Sequence, residues 1–126
     1  VTMADDRLTF KEMCAKFDVT PRTLRYYEYI ELLSPDREGR SRFYGPTEVA
    51  RMTLIMRGRR FGFSLEEIRQ RLVLYEEKGS DEQFRVFVQY ADRQLEVLDE
   101  EKKTLEATIA ELSELRAETL RLIKDG

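Results

Sequence analysis

The last third of the chain carries a repeating apolar pattern that limits what the whole molecule can fold into. From Asp81 onward no glycine or proline occurs until Gly126, so no helix-breaking residue interrupts the stretch. Spacings that alternate between four and three define twelve positions, nine of them apolar: Phe84, Val88, Ala91, Leu95, Leu98, Lys102, Leu105, Ile109, Leu112, Arg116, Thr119 and Ile123. This heptad seam predicts one helix of about 44 residues, roughly 66 Å long.

Such a helix is too long to bury its seam on the small segment that precedes it, so we expect it to pair with a second helix. A homodimeric coiled coil explains the seam better than a solvated single helix, because an exposed apolar row is costly. We predict dimerisation through Phe84, Val88, Ala91, Leu95, Leu98, Leu105, Ile109 and Leu112. Lys102 and Arg116 would then set register or orientation, at some cost in stability.

Composition excludes several classes of protein. The 126 residues are 41% apolar and 37% charged, which is typical of a small globular unit with an elongated part. No apolar run approaches the roughly 20 residues that span a bilayer, and the start, VTMADDRLTF, has no signal-peptide pattern. We therefore expect a cytoplasmic protein that does not contact membranes.

Metal and catalytic chemistry are also poorly supported. The chain has one cysteine and no histidine, so it has no internal disulfide and lacks the usual transition-metal ligands. Neither a Gly-rich phosphate loop nor a nucleophile motif occurs, and the commonest general base is absent. We predict no cofactor, no metal site and no enzymatic activity, with Cys14 as a small core residue.

Charge is divided along the chain. Residues 20–60 carry nine Lys and Arg against five Asp and Glu, whereas residues 80–126 carry seven against twelve. Basic character in one segment is what binding to phosphates requires, although the net charge of the whole chain is −3.

Two short helices lie close together near the start. Thr9 to Glu12 has the T-x-x-E form of a capping box and predicts a first helix over about 9–17. Thr20 is a good N-cap and Pro21 suits the first helical position, so a second helix is predicted only three residues later. This arrangement indicates a helix-turn-helix motif.

The second helix has the residues of a DNA recognition helix. Leu24 is predicted to face inward, together with Tyr27 and Ile30, which leaves Arg22, Thr23, Arg25 and Tyr26 for a DNA surface. Arginine contacts phosphates and guanine edges well. Taken alone, these residues fit equally well a surface helix with solvated charges; the flanking elements favour DNA.

A hairpin, or wing, is predicted next. Pro35 ends any helix, and Asp36 to Gly39 is read as a turn between two short extended pieces. Arg37, Arg40 and Arg42, with Tyr44 nearby, suit the hairpin to grip the DNA backbone. The alternative is an ordinary charged surface turn.

Two further helices complete the head, and we place the domain boundary between residues 1–79 and 80–126. Gly45-Pro46 opens a third helix that ends near Phe61-Gly62, and the capping box from Ser64 to Glu67 opens a fourth that runs to about Tyr75. The N-terminus of this fourth helix presents free N–H groups beside Arg59 and Arg60, which predicts a second phosphate contact here.

Together these motifs resemble the MerR family of bacterial transcription regulators. The matching pieces are TPRTLRYYE from Thr20, LLSP from Leu32, RFY from Arg42 and RFGFSLEEI from Arg60, in the family's order and spacing over residues 8–78. The resemblance implies a mainly α fold, with a winged helix-turn-helix head and an antiparallel coiled-coil homodimer. It also implies double-stranded promoter DNA and bacterial RNA polymerase as partners, and a two-fold site whose overlong spacer the protein bends and untwists. By position it assigns DNA contacts to Arg22, Thr23, Arg25, Tyr26, Arg40, Arg42, Tyr44, Arg59, Arg60 and Ser64.

The chain also departs from the family pattern. Asp18 stands where glycine is usual, and Arg40-Ser41 replace a Gly-Tyr pair. The cysteines of the family's metal and redox sensors are absent, as is a multidrug-type sensor domain. Among short members, the segment LIMRGRRFGFSLEEIRQRLVLYE is most similar to regulators of leucine, isovalerate and acyl-CoA catabolism. A small-molecule effector stays open; any pocket is expected near Tyr75, Phe84, Phe87 and Tyr90, although these rings are more simply read as packing residues.

One other class keeps the same architecture. A MerR-like interaction module, such as a chaperone-binding modulator, would not need Arg22, Arg25, Arg42 and Arg60 together, and would show no steep salt dependence on DNA.

Overall fold

A computed structural model describes residues 6–76 and 79–124. Its elements in chain order are β1 Leu8–Thr9, α1 Phe10–Phe17, α2 Pro21–Tyr29, β2 Asp36–Glu38, β3 Ser41–Tyr44, α3 Pro46–Phe61, α4 Leu65–Glu76 and α5 Asp81–Leu122. The three strands form one antiparallel sheet in the order β1-β3-β2. The predicted mainly helical fold with a small wing and a long terminal helix is confirmed. Over the described residues, no helix combines the length and apolar character needed to cross a membrane.

The helix-turn-helix forms where its capping residues predict. In α1 the Thr9 N–H donates to the Glu12 carboxylate at 2.9 Å, and the Glu12 N–H donates to Thr9 Oγ1 at 3.1 Å. Asp18 then ends α1 with a left-handed φ of 52°, a conformation that short polar side chains tolerate. At the start of α2 the Thr23 N–H donates to Thr20 Oγ1 at 3.1 Å, and Pro21 occupies the first turn.

The hairpin differs from the prediction in where it turns. Asp36 to Glu38 is a strand, not part of a turn, and Glu38 pairs with Ser41, which leaves the two-residue loop Gly39-Arg40. Gly39 has a φ of 63°, the positive value that the first position of such loops favours. The short strand β1 was not predicted; it pairs with β3, with Leu8 opposite Tyr44.

Helices α3 and α4 pack closely at a glycine. Gly45 and Gly62 bound α3, the latter with a φ of 90°. Gly58 is buried, and a methyl group at its Cα would lie 2.7 Å from Ile68 Cγ1 on α4. The Ser64 N–H donates to Glu67 at 2.9 Å and the Glu67 N–H to Ser64 Oγ at 3.1 Å, so the predicted second capping box is confirmed.

One hydrophobic core holds these elements together. Met13 of α1, Leu24 of α2, Tyr44 of β3 and Ile55 of α3 are fully buried in it. Its other buried members are Tyr27, Leu32, Leu33, Met52, Ile68 and Leu72. The core thus joins the helix-turn-helix, the hairpin and the α3–α4 pair.

The long helix begins at a third capping box. The Ser80 N–H donates to Gln83 Oε1 at 2.8 Å and the Gln83 N–H to Ser80 Oγ at 3.2 Å. From there α5 runs without interruption for 42 residues, as the heptad pattern predicts. The chain divides into two compact units between Phe84 and Arg85, one turn into α5. No residue of α5 is buried in the single chain.

Candidate nucleic-acid interface

The side of α2 that faces away from the core is basic and aromatic. Arg22, Arg25 and Tyr26 are exposed, while Leu24 and Tyr27 are buried. Tyr29 follows one turn after Arg25 and is 83% exposed. Because residues three or four apart share a helix face, Arg22, Arg25, Tyr26 and Tyr29 form one row along α2.

Thr23 contributes less free surface than the arginines beside it. Its side chain is partly buried, and its hydroxyl lies 3.0 Å from the hydroxyl of Thr20. Thr23 is therefore tied to the N-cap of α2, and any contact with DNA stays a prediction.

A groove extends the α2 surface to the α3–α4 junction. It is lined by Arg22, Thr23, Arg25, Tyr26, Tyr27, Tyr29, Arg59 and Leu65. The structure thus brings the predicted helix residues and Arg59 to the same concave surface. Arg60 and Ser64 are exposed at the same junction, although the Ser64 hydroxyl already accepts the Glu67 N–H.

The predicted DNA-binding residues of the hairpin differ in how exposed they are. Arg40 is exposed in the loop between β2 and β3. Arg42 is partly buried, and its Nε lies 2.9 Å from Glu28 Oε1 on α2. Arg42 therefore links the hairpin to α2, and only part of its side chain is exposed.

The prediction that the Tyr44 side chain contacts DNA is wrong. Tyr44 is fully buried, and its hydroxyl donates to Glu28 Oε2. Burial and this hydrogen bond raise the pKa of Tyr44 far above its usual value. Successive residues of a strand point to opposite faces, so Arg42 and Tyr44, which are two residues apart on β3, lie on the same face. Both contact Glu28 of α2, and on this face Tyr44 is part of the core.

Glu28 was not among the predicted site residues, although its carboxylate forms an ion pair with Arg42 and accepts the hydroxyl hydrogen bond of Tyr44. Its side chain is only 9% exposed. The sequence contained one usable signal, since a glutamate on α2 among so many arginines is a natural ion-pair partner. Its partner, Arg42, lies on the hairpin, so the pairing depends on how the hairpin packs against α2 and could not be predicted from residue spacing along the helix.

Arg7 is a second missed residue, and it supports the wing from the other side. It lies 3.2 Å from the Glu38 carboxylate and 3.7 Å from Asp36, and its guanidinium is 4.4 Å from the centre of the Phe43 ring. It therefore anchors β2 and β3. The sequence could not show this without the three-stranded sheet.

Two other arginines hold the segment that follows α2. Arg51 Nε of α3 donates to the Leu32 carbonyl at 2.9 Å, and Arg69 of α4 donates to the Ile30 carbonyl. Arg51 is also paired with Glu76. These two arginines stabilise the segment that directly follows α2.

The remaining predicted sites are of different kinds. Cys14 is partly buried against the core, and burial raises the pKa of its thiol while nearby Arg25 opposes the rise. Among the residues that the structure describes, no group of three or more His, Cys, Asp or Glu is placed to hold a metal ion.

Of the residues predicted to lie near an effector pocket, Phe84 is half exposed, and Phe87 and Tyr90 are partly buried. The side chain of Tyr75 lies outside the described residues, so the effector pocket stays a prediction.

Comparisons with known proteins agree with this geometry. The family model described as "MerR HTH family regulatory protein" matches residues 8–73, and one described as "MerR, DNA binding" matches residues 49–124. The HTH-type transcriptional regulator HmrR of Rhizobium leguminosarum bv. viciae is 41% identical over 91 residues, which cover 68% of this chain and 70% of HmrR.

Solved structures show the same fold. A MerR-family transcriptional regulator from Bacillus cereus superposes with a TM-score of 0.73 at 27% identity, over 95% of this chain and 87% of the other. HiNmlR, a MerR family regulator lacking the sensor domain and bound to promoter DNA, superposes with a TM-score of 0.68 over 91% of each chain. At 19% identity this second likeness concerns the fold alone.

The first family match covers more than half of the chain, and HmrR covers more than two thirds of it. The named relatives are transcriptional regulators, which confirms the prediction of a regulator over an enzyme. The chain therefore belongs to the MerR family of helix-turn-helix regulatory proteins and is a DNA-binding transcriptional regulator.

Proposed function

We propose that this protein binds a two-fold promoter site as a homodimer and controls transcription by distorting the spacer DNA beneath RNA polymerase. It would do so in the cytoplasm, where the promoter and the polymerase meet. The observation that carries the proposal is the row of Arg22, Arg25, Tyr26 and Tyr29 along one exposed face of α2, beside Arg59 in the same groove. A helix with arginines on an exposed face suits the major groove.

Flanking residues support contacts with the DNA backbone on both sides of α2. Arg40 is exposed in the hairpin loop, and Arg59 and Arg60 are exposed at the end of α3. Phosphate contacts of this kind fix the position of a protein on the duplex but carry no sequence information. Base selection is therefore assigned to Arg22, Arg25 and Tyr26.

Dimerisation is proposed from the surface of α5. Leu95, Leu105, Ile109 and Leu112 are 57–63% exposed in the single chain, and all four lie on the heptad seam. Leaving this row in water would cost free energy that a second α5 helix recovers. An antiparallel pair of α5 helices would carry two heads, as a two-fold site requires.

Distortion of the spacer is supported by the family and by the distribution of contacts. A protein that holds phosphates from two appendages around a recognition helix can stabilise a bent or untwisted duplex. Whether a given promoter is activated or repressed then depends on the length of its spacer, since distortion helps polymerase only when the spacer is overlong.

The test is a fluorescence-anisotropy titration with duplex DNA from upstream of the protein's own gene, at several salt concentrations. We expect selective binding that weakens steeply with salt. Arg25→Ala should weaken operator binding about 10- to 100-fold, as for loss of one base-reading arginine. Arg121→Ala removes the same charge from α5, where Arg121 is exposed, and should change affinity little.

Two outcomes would contradict the proposal. Binding no stronger than to random DNA would reject this operator. Equal losses for Arg25→Ala and Arg121→Ala would show that only overall charge matters. The first result would favour the interaction module, because such a module needs no selective contact with DNA.

A further inference from the structure

The ring of Phe10, the first residue of α1, lies under two arginines from different elements. The guanidinium of Arg25, on α2, is 5.3 Å from the ring centre, and the guanidinium of Arg42, on β3, is also 5.3 Å from it. Both distances are within the range at which a cation is attracted to an aromatic face. One aromatic side chain therefore contacts the recognition helix and the first wing at once.

Glu28 fixes one of these arginines more tightly. Its carboxylate pairs with Arg42 at 2.9 Å and accepts the hydroxyl hydrogen bond of the buried Tyr44. Because the Glu28 side chain is almost fully buried, this ion pair is little screened by solvent. Arg42 thus has two fixed neighbours, Glu28 on α2 and Phe10 on α1.

Cys14, on the next turn of α1, is close to the same groups. It lies four residues after Phe10; burial raises the pKa of its thiol, the charge of Arg25 lowers it and the charge of Glu28 raises it. The elements α1, α2 and β3 therefore meet around Phe10, with Arg25 and Arg42 at the rim of the contact.

We propose that Phe10 is a positioning residue for DNA binding, whose ring holds Arg25 and Arg42 in the arrangement in which the recognition helix and the wing meet DNA together. The proposal rests on the proposed function above. A flexible arginine loses side-chain entropy when it binds, and holding it in place beforehand reduces that cost.

The simpler interpretation is that Phe10 only fills space, since it is partly buried and packs against the core. Leucine would fill much of that space but has no ring face for a guanidinium. Phe10→Leu therefore separates the two interpretations. Phe17→Leu is a matched control, because Phe17 ends the same helix, packs against the same core and has Lys16 over its ring at 5.9 Å.

The experiment repeats the anisotropy titration on full-length wild type and both variants, with thermal unfolding measured in parallel. We expect Phe10→Leu to weaken binding to the upstream duplex by roughly 5- to 30-fold, the product of two modest cation–π contacts. Phe17→Leu should bind within about twofold of wild type at the same temperature, because its ring holds no DNA-facing arginine.

A double-mutant cycle gives a readout that a space-filling role would not change. If Phe10 acts through both arginines, the effect of Phe10→Leu should fall in the Arg25→Ala background to roughly 2- to 5-fold, the share of the remaining Arg42 contact. Additive effects, wild-type affinity for Phe10→Leu, or an equal loss for Phe17→Leu would overturn the proposal while the proposed function stands. Failure of the wild type itself to bind would instead reject the function.

A second measurement covers the case in which Phe10→Leu does not fold. In the free wild-type protein, the side-chain resonances of Arg25 and Arg42 should be shifted upfield by the Phe10 ring. The resonances can be assigned with Arg25→Lys and Arg42→Lys. Unshifted signals for both arginines would overturn the proposal without any use of DNA.

Discussion

The head, residues 6–84, and the coil segment, residues 85–124, bury apolar side chains in different ways. In the head, Met13, Leu24, Tyr44 and Ile55 are sealed from water by the same chain. In the coil segment the apolar residues follow a regular heptad spacing, yet none is buried. The apolar core of the head is thus formed within one chain, whereas the apolar seam of the coil segment is left exposed in the single chain.

This contrast separates two kinds of stability. The head should unfold with a free energy that does not depend on protein concentration, since its contacts lie within one chain. Stability of a paired coil segment rises with concentration, because association is part of the equilibrium. Variants in the two regions should therefore differ in whether their stability depends on protein concentration, as well as in the size of the change in stability.

The largest effect is expected from Ile109→Asp. A buried, unpaired carboxylate in the α5 seam should abolish the dimer and weaken binding to a two-fold site by more than about 100-fold, because the effective concentration of the second head is lost. Sedimentation should show a monomer with a folded head. Ala107→Asp, at an exposed position off the seam, is the control. A dimeric Ile109→Asp would break the comparison.

Tyr44→Phe tests the head through a buried polar contact. Loss of the hydrogen bond to Glu28 should cost about 1.5–3 kcal/mol at pH 7. The fold raises the pKa of Tyr44, so the neutral side chain contributes stability at pH values below the pKa of tyrosine in the unfolded chain, which is near 10. This contribution to the free energy of unfolding is lost as the pH rises above that value. Tyr44→Phe should therefore lose less stability than wild type between pH 9 and 11.

Urea unfolding at several pH values measures this difference. Tyr29→Phe is the control, because Tyr29 is exposed and its hydroxyl can remain solvated. An alkaline loss of the same size in wild type and Tyr44→Phe would contradict the assignment.

Gly58→Ala tests the close contact of α3 with α4. The new methyl group would meet Ile68 at 2.7 Å, and overpacking should cost about 1–3 kcal/mol, of which better helix propensity returns roughly 1. Gly45→Ala is a control for the space around the new methyl group, which meets nothing within 4 Å there; because Gly45 is the N-cap of α3, alanine should cost a small amount through the cap alone. Both variants should have unfolding free energies that are independent of concentration. A Gly58→Ala variant more stable than wild type would show that the helices separate easily.

The smallest effect is expected from Asp18→Gly. Asp18 holds a left-handed φ of 52°, where glycine has no steric cost, so the head should gain about 0.5–1 kcal/mol. Glu31→Gly, at a φ of 63°, offers an independent comparison. A clear loss of stability in Asp18→Gly would show that the aspartate side chain makes a contact worth more than the backbone strain.

Local chemistry explains which elements could be predicted. The two predicted capping boxes and Pro21 depend on residues no more than three apart, and α1, α2 and α4 begin where these residues place them. The seam of α5 is likewise a local repeat. Such features are readable because their partners lie nearby in the sequence.

The errors arise where the partner lies far along the chain. In the sequence Tyr44 follows the arginines of the hairpin, but in the fold it pairs with Leu8 of β1 and is buried. Its hydrogen-bond partner Glu28 is sixteen residues away. Arg7 and Glu38 are thirty-one residues apart. The hairpin turn was misplaced because Asp36 and Glu38 have turn-forming or polar character, whereas pairing with β3 makes them strand. Long-range pairing overrides local preference in each case.

The arginines that face inward also bear on how binding should respond to ions. Arg51 and Arg69 donate to the carbonyls of Leu32 and Ile30, and Arg51 is also paired with Glu76. A cation already neutralised by its own protein releases fewer counterions from DNA than one that newly meets a phosphate. The slope of log affinity against log salt concentration should consequently be shallower than the number of arginines in the head suggests. It should reflect only the arginines that contact phosphates of the duplex.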